Sequence, residues 1–260
     1  MQWKRSKERG TRMKTVVYGY GVMGKKVVNA VNEDNNLELV GVVSPVFDQD
    51  PGVASYKSLK EVKGDVEAII DFSHPANLDD ILSFALEHKV PVVLATTGFK
   101  DEDMKKIEDA SKVIPIFQSY NTSYGVAMLN KMVREFTKEF FAHNYDVEIL
   151  EAHHHRKIDA PSGTAKMLYD SAAMSIEGAH AVYDRESRHQ ARERNEIGMQ
   201  SIRAGTIYGE HTVLYGGDDE LIEIKHTALS RDIFAKGAVS AMNALLKKEA
   251  GLYDLSTLYE

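Results

Sequence analysis

The feature that most constrains this chain is TVVYGYGVMG, residues 15–24, where a short β-branched run breaks at one glycine and passes two more before a helical pattern begins. β-Branched residues favour a strand, and glycines at 19, 21 and 24 permit a turn tight enough to launch a helix from its end. Val27, Val28 and Val31 then follow at near-helical spacing. The alternation repeats along the chain. LELVGVV (37–43), DVEAIIDFS (65–73), VPVVLATTG (90–98) and IPIFQS (114–119) read as short apolar strands, with helix patterns at about 77–89 and in DEDMKKIEDASKV. This alternation predicts a parallel sheet covered by helices on both faces.

The rhythm changes after about residue 145. YDVEILEAH, GMQSIRAG, EHTVLYGG and ELIEIKHTAL read as alternating or mixed strands, and Gly-Gly-Asp-Asp joins the last two as a turn. A mostly antiparallel sheet, and so a second domain of different construction, is expected there. The amphipathic IFAKGAVSAMNALLKK near the C-terminus is placed to return to the first domain.

At 260 residues, 43% hydrophobic and 27% charged, the chain can hold one large or two modest domains. A net charge of −7 offers no general attraction to nucleic acid or an anionic membrane, and no apolar run approaches the roughly 20 residues of a bilayer span. The lack of cysteine excludes disulfides, thiolate zinc sites and a cysteine nucleophile, and fits a cytoplasmic setting. Residues 1–12, MQWKRSKERGTR, are basic without the apolar core of a secretion signal, and read as a solvated extension ahead of Met13.

Gly19, Gly21 and Gly24 stand where a dinucleotide fingerprint requires them, after the first strand and opening a helix. The first serves the tight turn, the second lets backbone approach a pyrophosphate, and the third allows close packing. An ordinary tight βα turn would use the same residues. The second strand ends Val43-Ser44-Pro45 without the carboxylate that would bind the ribose of NAD. Ser44 tolerates a 2′-phosphate that Lys25 or Lys26 would reach, which mildly favours NADPH or dual use. Ala95-Thr96-Thr97-Gly98 and Ser119-Tyr120-Asn121-Thr122 fall where further parallel strands should end, with hydroxyls and an amide suited to a nicotinamide and its ribose. Turn chemistry alone selects the same residue types.

EAHHHRKIDAPSGTA (151–165) concentrates proton-transfer groups. Side chains alternate along a strand, so His153 and His154 face apart and do not form a metal pair by adjacency. No ligand spacing for a metal is present. A bend through Pro161 and Gly163 brings His153 and Lys157 to one pocket, while Ser162 caps a helix whose first N–H groups, at Gly163 and Thr164, suit a carboxylate. A polar surface loop leading into a capped helix explains the same spacing.

The stretch EAHHHRKIDAPSGTA closely resembles the signature of the dihydrodipicolinate reductase family of bacterial lysine biosynthesis. The resemblance runs from about residue 14 almost to the C-terminus through GYGVMG, DFSHP (71–75), ATTGF (95–99), SYNTSYG (119–125), IRAGTIYGEHTV (202–213) and ALSRDIFAKGAV (228–239). It implies an α/β chain with a Rossmann-like parallel-sheet domain from both chain ends, 13–123 and 232–260. An inserted α+β domain with a mixed or antiparallel sheet, 124–231, would bind substrate and assemble a homotetramer. It implies NAD(P)H-dependent reduction of dihydrodipicolinate, formed from 4-hydroxy-tetrahydrodipicolinate, with a small dicarboxylate as substrate and no metal, nucleic acid or membrane partner. His153 matches the acid/base histidine and Lys157 the proton donor, while His154, Ser162, Gly163, Thr164 and Arg231 match substrate contacts. Gly19, Tyr20, Gly21, Val22, Met23, Gly24, Ser44, Phe72, Ala95, Thr96, Thr97, Ser119, Tyr120, Asn121 and Thr122 match the cofactor-contacting segments.

The chain departs from the family pattern near the cofactor. Its glycine loop is one residue shorter, Val22 replaces a frequent arginine, and Ser44-Pro45 stands where an acid or a Glu-Arg pair is usual. NADH and NADPH therefore both stay open. A related amino-acid dehydrogenase would keep the glycine loop but not Lys157 with Pro-Ser-Gly-Thr, and a non-catalytic NAD(P) sensor would not need the proton donors.

Overall fold

The computed structural model describes residues 11–259, and residues 1–10 of the expected basic extension lie outside the described residues. The described chain divides into two compact units, residues 11–124 with 232–259, and Gly125–Arg231.

The first unit begins with strand β1 (Met13–Tyr18), helix α1 (Val22–Glu33) and strand β2 (Leu37–Val43), followed by β3 (Ser55–Tyr56) and β4 (Ala68–Asp71). Helix α2 (Leu78–His88), β5 (Val92–Leu94), α3 (Asp101–Ser111) and β6 (Pro115–Gln118) continue it. The last helix, Asp232–Leu245, and last strand, Gly251–Tyr253, complete it; in chain order they are α6 and β12. The seven strands are all parallel, in the order β12-β6-β5-β4-β1-β2-β3. Strand order therefore reverses between β1 and β4, which opens a crevice beyond their carboxyl ends.

Local signals account for these elements. Helix α1 buries Val27, Val28 and Val31 along one face. Beyond it the Asp34 carboxylate accepts from the N–H groups of Asn36 and Leu37 at 2.8 and 3.0 Å, turning the chain into β2. Helix α2 ends at Lys89 in the left-handed region, φ 54°. Val16, Tyr18, Ile69, Leu94 and Ile116 on the sheet pack with Ile81, Leu82 and Ile107 on the helices.

The second unit contains helix α4 (Tyr124–Ala142), strand β7 (Asp146–His153), helix α5 (Gly163–Ala173) and strands β8 (His180–Val182), β9 (Glu196–Arg203), β10 (Glu210–Gly216) and β11 (Leu221–Thr227). Its sheet order is β11-β10-β7-β9-β8. β10 pairs antiparallel with β7 and β11, whereas β9 pairs parallel with β7 and β8. The sheet is thus evenly mixed, not mostly antiparallel as the strand rhythm suggested. The reason is two crossovers: α5 carries the chain back before β8, and residues 183–195 carry it back again before β9, so both run parallel to β7. Leu129 and Val133 of α4, with Ala165, Leu168 and Ala172 of α5, pack on Val147, Ile149, Ile197, Met199, Val213 and Tyr215. Thr137 donates its hydroxyl to Val133 O at 2.7 Å, so the buried Tyr215 hydroxyl, 2.8 Å from Thr137 Oγ1, is the donor in that bond.

The glycine turn is the tightest point of the first unit. A Cβ on Gly24 would fall 2.0 Å from Gly19 O, and one on Gly19, whose φ is +98°, would fall 2.4 Å from Phe72 O. Both obstacles are backbone, which moves little. Gly24→Ala should therefore lower stability by about 2 kcal/mol or more, and urea unfolding of the variant against wild type measures it.

Candidate active site

At the crevice of the first unit, the three glycines divide into two crowded positions and one open one. Gly21 is the N-cap of α1 without a side-chain cap bond, and a Cβ there would meet nothing within 4 Å. Backbone is thus presented openly at a helix N-terminus, where an anionic diphosphate fits. Beside it lies an open cavity of about 280 Å³ whose lining includes Met23, Phe72, Thr96, Tyr120 and Phe234. Of the expected cofactor residues, Met23, Phe72, Ala95, Thr96, Thr97, Tyr120 and Thr122 line it together. Val22, at the first helical position, is 68% exposed.

Ser119 and Asn121 do not line the cavity but brace its loop. Ser119 Oγ donates to Asn121 O at 2.6 Å, and Asn121 Oδ1 accepts from Ser123 N–H at 2.9 Å. Thr122 donates to Phe234 O at 2.6 Å, tying the loop to α6. Ser44 lies at the end of β2, where its hydroxyl donates to Val46 O at 2.6 Å. Phe234 and Ser73 are cavity residues that sequence reasoning missed, although Phe234 lies inside the quoted IFAKG motif.

Asp71 sits under this cavity, at the tip of β4 and 1% exposed. Burial without a cation raises its pKa to about 6, against the Ser73 and Thr96 hydrogen bonds that favour its charge. It accepts from Ser73 N–H at 3.0 Å and Ser73 Oγ at 2.5 Å. Ser73 N–H also reaches Thr96 Oγ1 at 2.9 Å, so the loops after β4 and β5 are joined through this group.

In the second unit the expected acid/base stretch folds around Glu151, which sequence reasoning missed. Its side chain is fully buried. Arg203 on the neighbouring strand grips both oxygens at 2.8 and 2.7 Å, Ser162 N–H donates at 3.2 Å, and His153 Nδ1 lies 2.6 Å away. Burial opposes the charge, but Arg203 and His153 outweigh it and hold the carboxyl at about 2. An ionised carboxylate only accepts, so His153 Nδ1 carries the proton and donates it to Glu151. Burial also lowers the His153 pKa, against the pull of Glu151, so the ring is neutral at pH 7 with Nε2 unprotonated. A Cβ at Gly209 would lie 3.1 Å from that Nε2, so glycine there keeps space beside it.

Lys157 follows in the same loop, its ammonium 2.8 Å from Asp159 Oδ1, while Arg203 also donates to Asp159 O at 2.6 Å. Ser162 caps α5, accepting from Ala165 N–H at 3.2 Å, and lies 3.0 Å from His211 Nε2. Ser162 is itself buried, whereas Gly163 at the helix start is exposed. His154 is half-buried, and its Nδ1 has no hydrogen-bond partner among the described residues. Arg231 is exposed in the turn before α6. The structure thus gathers His153 at the end of β7, Lys157 in the loop that follows, and Ser162 with the start of α5, with Arg203 of β9 and His211 of β10 beside them.

A parallel sheet with strand order 3-2-1-4-5-6, a glycine turn at the reversal and an appended mixed sheet define a dinucleotide-binding oxidoreductase framework as a class. Similarity to known proteins narrows this. The family described as dihydrodipicolinate reductase, N-terminus, matches residues 13–122, and that described as dihydrodipicolinate reductase, C-terminus, matches residues 125–258. A 4-hydroxy-tetrahydrodipicolinate reductase of Exiguobacterium sp. strain AT1b is 47% identical over 251 residues, covering 95% of this chain and 96% of its own. One from Staphylococcus aureus strain MRSA252 is 40% identical, covering 95% of this chain and 100% of its own. The dipicolinate-bound dihydrodipicolinate reductase of Paenisporosarcina sp. TG-14 shares the fold at TM-score 0.78 and 24% identity, covering 94% and 98% of the two chains. The chain belongs to the dihydrodipicolinate reductase family.

His211 offers a test of the packing around this loop. Burial, then the nearby His153, lowers its pKa to about 3. The unfolded chain takes up this proton below about pH 6.5 while the folded chain does not. The stabilising contribution is therefore full above about pH 6.5 and is lost progressively as pH falls towards 3. Asp71 acts in the opposite sense below pH 6, so the difference between two proteins isolates the histidine. His211→Gln should flatten the fall in stability between pH 6.5 and 4.5, measured by urea unfolding across that range.

Proposed function

We infer that the chain catalyses NAD(P)H-dependent reduction of dihydrodipicolinate, formed from 4-hydroxy-tetrahydrodipicolinate, to tetrahydrodipicolinate, a step of diaminopimelate and lysine biosynthesis. The supporting observation is the histidine loop. A half-buried imidazole oriented by an ionised carboxylate, an ammonium and an exposed helix start stand within 151–165 of a chain of this family. Residues 13–123 with 232–260 are assigned to the dinucleotide and 124–231 to the substrate. No helix among the described residues is long and apolar enough to cross a membrane.

A reduced nicotinamide cofactor, when bound, supplies the hydride. The chain's own residues do the remainder. Gly19–Gly24 and the start of α1 hold the diphosphate, and the cavity bounded by Phe72, Thr96, Thr97, Tyr120 and Thr122 orients the nicotinamide end. Gly163, Thr164 and the α5 dipole hold a substrate carboxylate, with His154 and Arg231 as further contacts. Ser162 contributes by fixing that helix start. Negative charge that develops on the ring is quenched by a proton from Lys157 Nζ, which keeps two N–H groups beyond the one facing Asp159. His153, with Nδ1 committed to Glu151, presents Nε2 as an acceptor to the ring or to a proton on its way to Lys157.

Purified protein should oxidise NADH or NADPH only when substrate is generated from pyruvate and aspartate semialdehyde. A folded Lys157→Ala variant should turn over roughly 10²–10⁴-fold more slowly; unchanged turnover removes Lys157 from its role, and no turnover by wild type removes the reductase assignment. A homotetramer is the expected assembly. It is supported by the sheet face opposite α4 and α5, where Leu150, Gln200, Ile202, Thr212 and Leu214 share one side and Ile202 is 50% exposed. Sedimentation velocity should show a tetramer, which Ile202→Asp weakens.

A further inference from the structure

The end of β2 faces the ribose in folds of this type, and a carboxylate there ordinarily selects the unphosphorylated dinucleotide. Here Ser44 and Pro45 follow Val43, so no acid stands at the strand tip, and the Ser44 hydroxyl is committed to Val46 O at 2.6 Å. The fold supplies a carboxylate from further on. The loop returns to the glycine turn and sets Asp48 Oδ2 2.8 Å from Lys25 Nζ. Lys25 directly follows Gly24, and its ammonium lies 5.4 Å from the centre of the Tyr20 ring, inside the same turn. Tyr20 in turn packs against Phe47 with ring centres 5.8 Å apart. Lys26 is directed elsewhere and pairs with Asp232. One cation and one anion are therefore held together over the glycine turn, with side chains 28% and 66% exposed.

We propose that the Lys25–Asp48 pair is the element that discriminates between dinucleotides with and without a 2′-phosphate. This rests on the cofactor assignment above. An unphosphorylated ribose leaves the ion pair intact and donates its hydroxyls to Asp48, whose carboxylate has acceptor sites beyond the one facing Lys25. A 2′-phosphate instead recruits Lys25, and to do so it must displace Asp48 and tolerate a neighbouring negative charge. Each residue restrains the other's preference, so the chain accepts both cofactors with modest discrimination.

Isothermal titration of wild type, Asp48→Asn and Lys25→Gln with 2′,5′-ADP and with ADP reads this selection without turnover. NADH and NADPH titrations by nicotinamide fluorescence accompany it. Asp48→Asn should tighten 2′,5′-ADP and weaken ADP, and Lys25→Gln should do the reverse, each shifting the affinity ratio by roughly three- to tenfold. The gain in Asp48→Asn should shrink as salt is raised. If both variants shift the two nucleotides equally, or not at all, while wild type binds NADH or NADPH, the selector is overturned and dinucleotide binding stands. If folded wild type binds neither cofactor nor either probe, the cofactor assignment falls and the selector with it.

Discussion

A single buried negative charge organises the second unit. Glu151 lies inside the sheet, where an unpaired carboxylate would be strongly disfavoured, and Arg203 makes its ionisation favourable. Arg203 can arrive only because β7 and β9 run parallel, a register that pairs His153 with Arg203 across the ladder. Once ionised, the carboxylate dictates the rest: it sets the His153 tautomer, draws in Ser162 N–H and thereby fixes where α5 begins. Charge, strand direction and helix start are thus one coupled arrangement.

The first unit has a buried acid in a corresponding place and treats it differently. Asp71 ends a central strand and also gathers loop donors, but hydroxyls and N–H groups replace the guanidinium. The contrast in pKa, about 6 for Asp71 and about 2 for Glu151, follows from the Arg203 and His153 partners that Asp71 lacks. At the histidine loop, a permanent anion balanced by a permanent cation keeps the imidazole oriented across the physiological range.

Much of this was legible in the chain. Gly19 and Gly24 announce themselves because backbone oxygens occupy the space a Cβ would need, so no other residue serves there. Strands β1, β4, β5 and β6 of the first sheet are buried on both faces and therefore read as apolar runs, and the Ser162 cap follows from residue type and position. β3, β8 and β12 are only two or three residues long, too short to carry any periodicity. Helix α4 is the avoidable omission, since Val126, Leu129, Asn130, Val133 and Thr137 are buried at helical spacing. Glu151 with Arg203, and Lys25 with Asp48, leave no spacing signal, because sheet register or a returning loop, not sequence separation, joins them. His211 is hidden for the same reason, since only pairing of β10 with β7 brings it beside Ser162.

The first sheet draws its strands from both sides of the inserted second unit. Among the described residues β12 pairs only with β6, and α6 packs its buried face, including Ala235, Ala238 and Met242, within the same unit. The inserted segment Gly125–Arg231, by contrast, is continuous and holds its own core. On a ribosome, the second unit therefore has its whole sequence in hand while the edge of β6 and the seat of α6 still stand open. Completion of the dinucleotide unit waits until residues 232–253 have been made, and a chain stopped before them keeps an exposed parallel strand edge of the kind that seeks partners in other molecules.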